Sequence, residues 1–299
     1  MRRKFTKFSC LLFILLCIEL SALAYDVASQ SRKTFLWKVQ SETSIVYILG
    51  SLHSMRKENY PLNKKIEDAF DKSDVLAVEA NINDVSQIDM QKLMEKALYQ
   101  DEDTLQKHLS AETYELAKKE IGQMGLPPEM AQKQRPWFLA STLTALQLSK
   151  LGFDPAYGID RYFLSKALGR KRILELESLD YQINLLSGFS DKDQELFLLY
   201  TLKDLGKLDR ETDGLLKAWN SGDTEGMESI MKKIVREDGR LSPIYEKLIY
   251  ERNRKMASKI EDYLKARETY FVIVGAGHLV GDRGVIEKLR QKGYAVEQQ

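Results

Sequence analysis

The sequence predicts an α/β fold whose central sheet is built from two pseudo-symmetric strand–helix–strand ends. The main observation is a pattern that occurs twice: an apolar run of strand character stops at Gly-x-x-His, at Gly50–His53 and again at Gly275–His278. Each copy continues through a helix-like stretch into a strand that ends in Val-Glu, at Glu79 and at Glu297. We expect the two copies to pair about a pseudo-twofold axis. The alternative is a chance likeness between two ordinary strand–helix–strand units.

Alternating and continuous apolar runs predict six strands, at 34–39, 44–49, 75–79, 172–177, 271–274 and 294–297. Helical spacing predicts helices at 61–72, 86–99, 111–122, 137–151, 158–168, 194–205, 209–220, 223–236, 243–265 and 282–292. Ser110, Asp209 and Asp223 are expected helix N-caps. The middle of the chain is therefore helical, and residues about 84–155 and 185–240 should form layers beside the sheet. We expect residues 25–299 to form a single domain.

Residues 1–24 have the three parts of a secretory signal peptide: a basic start, an apolar stretch at 11–20 and Ala22-Leu23-Ala24 as a cleavage site. The apolar stretch contains Glu19 and is short for a membrane span. This predicts a periplasmic or secreted protein with no membrane span after cleavage, although an uncleaved anchor is an alternative.

Cleavage would remove both cysteines, Cys10 and Cys17, and with them any disulfide, thiolate metal site or cysteine nucleophile. It would also remove four of the 45 basic and one of the 44 acidic residues, which leaves 41 and 43, a formal net charge of −2. A chain without basic excess lacks the charge that holds a phosphate backbone, so nucleic acid is not an expected partner.

Three side chains at strand ends are the first candidates for chemistry. His53 and His278 are two of only three histidines, and Glu79 ends an apolar strand. Carboxyl ends of parallel strands are where ligands bind in α/β sheets. Imidazole and carboxylate suit a divalent metal ion, and they equally suit metal-free acid–base catalysis. If the strands at 45–49 and 271–274 are neighbours, the two histidines should lie within about 12 Å, given ligand bonds of about 2 Å.

Other residues are expected to support this site. Arg252 and Asn253 lie on the apolar face of the helix 243–265 and favour anion or carbonyl binding, with a structural clamp as the alternative. Glu177, like Glu79, stands where a strand ends, and Asp160 is read as a helix N-cap. Further expectations are that Gly50, Gly275 and Gly277 permit positive φ and close approach, that His108 is a surface residue, and that Trp37, Trp137 and Trp219 belong to the core.

Several motifs in this order resemble the TraB/GumN family, which includes the Tiki proteases and secreted GumN-like proteins. They are Leu36-Trp37-Lys38-Val39, Leu49-Gly50-Ser51-Leu52-His53, Tyr60-Pro61-Leu62, Val78-Glu79, Tyr157-Gly158-Ile159-Asp160, Leu176-Glu177-Ser178 with Gln182, Glu251-Arg252-Asn253 and Val274-Gly275-Ala276-Gly277-His278. The resemblance covers roughly residues 33–297. It implies a fold related to the erythromycin-esterase (EreA) and ChaN groups.

The resemblance also implies a metal-dependent site, with His53, His278 and Glu79 in the metal-binding or catalytic roles and Arg252 and Asn253 beside them. We therefore expect a metal-dependent, peptidase-like hydrolase that uses manganese, cobalt or zinc on a peptide or small-molecule substrate. The alternatives are a metal-free esterase-type hydrolase with His53 as general base, and non-catalytic binding of a secreted peptide or metal complex. The sequence leaves the oligomeric state open.

Overall fold

The structure is a computed structural model that describes residues 33–83 and 87–299. The predicted signal peptide, including both cysteines, lies outside the described residues. Within the described part of the chain, no helix has the length and apolar character needed to cross a membrane.

A six-stranded sheet forms the centre of the α/β fold, in the order β4-β3-β5-β2-β1-β6. All six predicted strands are present: β1 Leu36–Gln40, β2 Ile45–Ser51, β3 Val75–Val78, β4 Arg172–Glu175, β5 Thr269–Gly275 and β6 Ala295–Gln298. Strand β1 is antiparallel to both of its neighbours, β2 and β6, and the remaining pairs are parallel. The central strands are buried on both faces, which explains why they read as continuous apolar runs.

The two Gly-x-x-His strands are parallel neighbours, as predicted. Strand β2 pairs with β5 so that Gly50 lies opposite Val274 and Ser51 opposite Gly275. The strand that follows β2, which is β3, lies beyond β5, and the strand that follows β5, which is β6, lies on the far side of β2 with β1 between them. A twofold axis along the strands would exchange the two copies, apart from the inserted β1. Both Gly-x-x-His motifs therefore leave the same edge of the sheet.

The helices follow the predicted order closely. Their bounds are α1 Lys64–Asp71, α2 Gln87–Ala97, α3 Ala111–Met124, α4 Pro128–Gln132, α5 Pro136–Lys150, α6 Ile159–Ala167, α7 Leu179–Ser187, α8 Asp191–Asp204, α9 Leu208–Ser221, α10 Thr224–Glu237, α11 Ser242–Tyr245, α12 Glu251–Leu264 and α13 Val285–Gln291. Helix α7 was not predicted. It begins at Ser178, whose hydroxyl accepts a hydrogen bond from the N–H of Tyr181. The single helix expected over 243–265 is interrupted by a π-helical turn, Glu246–Tyr250.

Two of the three expected N-caps are confirmed. The hydroxyl of Ser110 accepts from the N–H of Thr113, and the carboxylate of Asp223 accepts from the N–H of Gly226 at 2.9 Å. Asp209 is not an N-cap, because α9 begins one residue earlier, directly after a 3₁₀ turn, and Asp209 lies in its first turn.

The core has a main cluster on the sheet and a second cluster among the helices of the middle. Large side chains such as Phe70, Phe163 and Phe271 pack together on the sheet, and Leu139 and Leu198 belong to the helical cluster. The three tryptophans are buried, as predicted. The indole N–H of Trp219, on α9, donates to the carbonyl of Gly50 at 2.6 Å, so the helical middle is fastened to the edge where the first Gly-x-x-His motif begins.

Candidate functional site

The predicted strand-end residues meet in one place. A Cβ atom on Gly275 would lie 3.4 Å from Glu79 Oε1, 3.5 Å from His278 Cδ2 and 3.6 Å from His53 Nε2. The two imidazoles are therefore well within the 12 Å limit, and the predicted proximity is confirmed. The reason is the parallel pairing of β2, β5 and β3, which ends all three strands at one edge.

Asp160 does not cap helix α6, contrary to the prediction. The N-cap is Gly158, and Asp160 lies in the first turn, where its Oδ2 is 2.8 Å from His53 Nδ1. A Cβ on Gly158 would stand 2.2 Å from the carbonyl oxygen of His53. Only glycine lets the helix start this close to the strand-end loop, and that contact brings Asp160 within reach of the imidazole.

His53 has one ring nitrogen bound and one facing open space. Nδ1–H donates to Asp160, and Nε2 lies in the cavity, where 68% of the side chain is exposed. The cavity walls around the ring lower the pKa of His53 even though its side chain is open to the cavity, but the charge and hydrogen bond of Asp160, together with Glu79, raise it to about 9. His53 is therefore an imidazolium at neutral pH.

Glu79 is buried directly after β3. Its Oε1 accepts a hydrogen bond from the N–H of Gly275 at 2.6 Å, and its Oε2 accepts from Arg252 Nη2 at 2.6 Å. Burial by itself raises the pKa of this carboxyl group. The pKa is nevertheless lowered to about 2, by the charges of His278, Arg252 and His53 and by the hydrogen bond from the Gly275 N–H. Glu79 stays ionised because its charge is compensated.

Arg252 joins the two strand-end carboxylates. Its Nε and Nη2 donate to Glu177, Nη2 also donates to Glu79, and Nη1 donates to His278 Nε2 at 3.0 Å and to the carbonyl of Leu248 at 3.3 Å. All five N–H donors thus have acceptors. This arrangement fits the structural-clamp alternative, and binding of a substrate carbonyl by Arg252 stays a prediction.

Asn253 sets the tautomer of His278. Its Nδ2 donates to the carbonyl of Arg283 at 2.9 Å, so its Oδ1 faces His278 Nδ1 at 2.7 Å and accepts the proton there. The Nε2 of His278 is then left as an acceptor for Arg252. Burial lowers the pKa of His278 to about 4, and this nearly inaccessible imidazole is neutral at pH 7.

The three site glycines leave room for neighbouring atoms and do not adopt a positive φ. None of them is among the glycines with positive φ, so that part of the prediction is wrong. A Cβ on Gly50 would lie 2.5 Å from Phe35, and one on Gly277 would lie 2.6 Å from Cε of Met231. A Cβ on Gly275 would fill the point where Glu79 and the histidines meet.

Sequence reasoning missed most of the surroundings of these residues. Gln182, which the family motif included without a role, lies on the unpredicted helix α7 and donates to Glu79 at 3.3 Å and to Glu177 at 3.2 Å. Ser51 lines the same cavity, and its buried hydroxyl has no hydrogen-bond partner among the described residues. The cavity measures about 520 Å³, and the helical middle supplies its apolar wall. A single serine or an apolar stripe on a helix carries no signal of such a role.

The third histidine does not line this cavity. His108 bridges Asp103 and Asp191 and stacks on Tyr99, so the residue that we predicted to lie at the surface is partly buried and has structural contacts.

The donor atoms do not form a ready metal centre. His278 Nε2 and Glu79 Oε1 are 3.8 Å apart, a separation that two ligands of one ion can have. However, Arg252 Nη1 already donates to the only lone pair of that Nε2, which places a cation where the ion would bind. Across residues 33–83 and 87–299, no group of three or more His, Cys, Asp or Glu side chains is arranged to hold a metal.

Comparison with known proteins agrees with the arrangement of motifs. The model of the TraB/PrgY/gumN family matches residues 35–298. YbaP from Escherichia coli, an uncharacterised protein, is 27% identical over 245 residues, which is 82% of this chain and 87% of YbaP. An uncharacterised protein of Treponema pallidum is 24% identical over 304 residues, which is 95% of this chain and 90% of that protein.

A further relative has a name that describes an activity. The "Metalloprotease TIKI homolog" of Amphimedon queenslandica is 34% identical over 103 residues, which is 28% of this chain and 20% of that protein. No solved structure matches the chain, so the relation to the erythromycin-esterase and ChaN folds stays a prediction. The family match spans nearly all of the described residues and includes both Gly-x-x-His motifs, and this chain belongs to the TraB/PrgY/gumN family.

Proposed function

We propose that this chain is a hydrolase that cleaves an amide or ester bond, with a peptide-like substrate preferred, in the cavity beside His53. The observation that carries the proposal is the His53–Asp160 pair, with Nδ1 held at 2.8 Å and Nε2 open to the cavity. A carboxylate that orients an imidazole and leaves its second nitrogen free is the arrangement used in general acid–base catalysis.

In this proposal His53 moves the proton of the attacking water. Neutral Nε2 accepts that proton, and the resulting imidazolium, stabilised by Asp160, returns it to the leaving group. Because the pKa of His53 is about 9, neutral His53 is the minor form at pH 7 and becomes the major form above about pH 9. We therefore expect the rate to rise with pH through about 9.

Glu79, Arg252 and His278 form the opposite side of the site. Glu79 contributes a fixed negative charge that favours the imidazolium of His53, and Arg252 holds Glu79 and orients His278. These are positioning roles, because each group is already engaged by protein partners.

A metal-dependent hydrolase is the second candidate, and the relatives named metalloproteases favour it. The ion would be manganese, cobalt or zinc, and His53, His278 and Glu79 are the residues that we would expect to hold it. Because Arg252 occupies the lone pair of His278 Nε2, this version requires Arg252 to release that nitrogen. Non-catalytic capture of a peptide or metal complex in the same cavity is the third candidate.

We also propose a periplasmic or secreted location, on the basis of residues 1–24. N-terminal sequencing of the protein recovered from its native host tests this, since cleavage after Ala24 is expected.

One experiment separates the three candidates. Purified residues 25–299 are incubated with a mixture of peptides and esters, with and without a chelator, and the products are identified by mass spectrometry. We expect products that persist with the chelator and disappear in His53→Gln and Asp160→Asn, while His108→Gln remains active. Loss with the chelator and recovery with manganese, cobalt or zinc would establish the metal-dependent version. A retained ligand without product would establish the binding function.

A further inference from the structure

We propose that the substrate carries a neutral aliphatic group next to the cleaved bond, that the cavity beside His53 binds this group, and that Leu248 sets the length that is accepted. This inference deepens the proposed function and rests on it only for the position of the cleaved bond.

The walls of the cavity differ with the element that supplies them. The strand ends and the loops after them supply His53 and Glu79 and are called the sheet end here. The residues supplied by the helices and the Phe153 loop, called the helical end, are mostly apolar: Leu148, Phe153, Leu215, Met231, Leu248 and Ile249, with Gln182, Thr212 and Arg252 as polar members. An apolar group gains roughly 0.8 kcal/mol for each CH₂ that such a wall removes from water. Unbranched methionine side chains adapt to ligands of irregular shape. The helical end therefore selects an aliphatic group.

Arg252 has no donor left for an anionic ligand. Both carboxylates that contact Arg252 are buried, and every N–H of the guanidinium has an acceptor. The apolar side chains of the helical end offer no partner to a charge, so the ligand group that binds there is neutral. An amide or ester carbonyl with an aliphatic substituent matches one polar end and one apolar end.

Leu248 lies between two cavities. It lines the main cavity and also a second cavity of about 260 Å³, whose other walls include Phe197, Tyr200 and Ile244. It lies on the π-helical turn Glu246–Tyr250, and its carbonyl accepts from Arg252 Nη1 at 3.3 Å. π-Helical turns inside helices occur often at functional sites. Removal of the Leu248 side chain should join the two cavities, because that side chain contributes to both walls.

The test uses binding of neutral dansyl alkylamides, from ethyl to dodecyl, measured by dansyl fluorescence on residues 25–299. We expect affinity to rise by about fourfold per methylene until the main cavity is full and then to level off. Leu248→Ala should move this plateau to longer chains, and Leu248→Phe should move it to shorter ones. Leu116→Ala removes a partly buried leucine that lines neither cavity and should leave the plateau unchanged.

Affinity that does not depend on chain length, or the same plateau in the parent and both Leu248 variants, would overturn the inference. Circular dichroism of each variant shows whether it is folded, and the two opposite substitutions at Leu248 keep the test decisive if one of them is not. Because binding is measured without turnover, failure of the hydrolase proposal is distinguishable: it would appear as chain-length-dependent binding without any product.

Discussion

His53 and His108 lie in different regions, and each contacts aspartate. In the helical middle, both ring nitrogens of His108 are bound, Nδ1 by Asp191 at 3.0 Å and Nε2 by Asp103 at 2.9 Å. At the sheet edge, Asp160 binds one nitrogen of His53 and leaves the other open to a cavity. The same residue types thus form a structural ion-pair bridge in one place and a candidate catalytic pair in the other. The number of free ring nitrogens makes the difference.

The largest effect should come from replacing each of these two histidines in turn. We expect His53→Ala to lower hydrolysis by about 10²–10⁴-fold, the usual contribution of a general acid–base group, and also to lower the melting temperature, because it leaves the buried Asp160 without its partner. His108→Ala should retain activity and lower the melting temperature. Rates and thermal unfolding of both variants check this, and equal loss of activity in the two would remove the distinction.

A methyl group at the meeting point tests the site without removing any of its side chains. Gly275→Ala places a Cβ 3.4–3.6 Å from Glu79, His278 and His53, which is ordinary contact, so the fold should persist while the space for substrate is lost. We expect hydrolysis to fall at least about tenfold, the factor that corresponds to about 1.4 kcal/mol of lost transition-state binding.

Gly122→Ala is the matched control, because nothing lies within 4 Å of that Cβ, and it should stabilise helix α3 by about 0.5–1 kcal/mol. Full activity in Gly275→Ala would mean that the reaction occurs elsewhere.

Neutralising one aspartate in each region should lower the pKa of the histidine that it contacts. Asp160→Asn removes the charge that raises the pKa of His53, so this pKa should fall well below 9. Asp103→Asn should likewise lower the pKa of His108, which desolvation lowers and its two aspartates raise. Titration of the imidazole proton signals by NMR measures both values, and an unchanged His53 in Asp160→Asn would show that the pair does not control its protonation.

The smallest effect concerns stability and pH in the helical middle. Since the pKa of folded His108 is raised above 6.5, its contribution to stability is complete below pH 6.5 and is lost as the pH rises through the folded value. The pair is partly exposed, so we expect less than about 1 kcal/mol. The difference in unfolding free energy between the parent and His108→Gln, followed from about pH 5.5 to 9, should shrink as the pH rises. If this difference in unfolding free energy grew with pH, the pKa of folded His108 would be lowered and not raised.

Local pattern was enough to predict much of the fold. Alternating and continuous apolar runs identified all six strands. The continuous runs belong to β3 and β5, because strands buried on both faces leave no polar alternation. The duplicated Gly-x-x-His motif predicted that β2 and β5 are neighbours, and the polar residues on the apolar stripe of α12 predicted that Arg252 and Asn253 face inward. Helix α7 and the π-helical turn were not predicted, because a short apolar segment has no distinctive period and a π-helical turn has no sequence signature.

The sequence by itself determined the α/β class, the strand order along the chain and the identity of the strand-end groups, because these depend on periodicity and on residues close in sequence. The tertiary structure alone decided that Asp160 binds His53 and not the start of its own helix, and that the donors of Arg252 are all used by two carboxylates, His278 and the carbonyl of Leu248. It also decided that Leu248 stands between two cavities. These features mostly join residues about 75 to 175 positions apart in the chain or depend on packing between helices, and the spacing of residues along a chain does not encode such contacts.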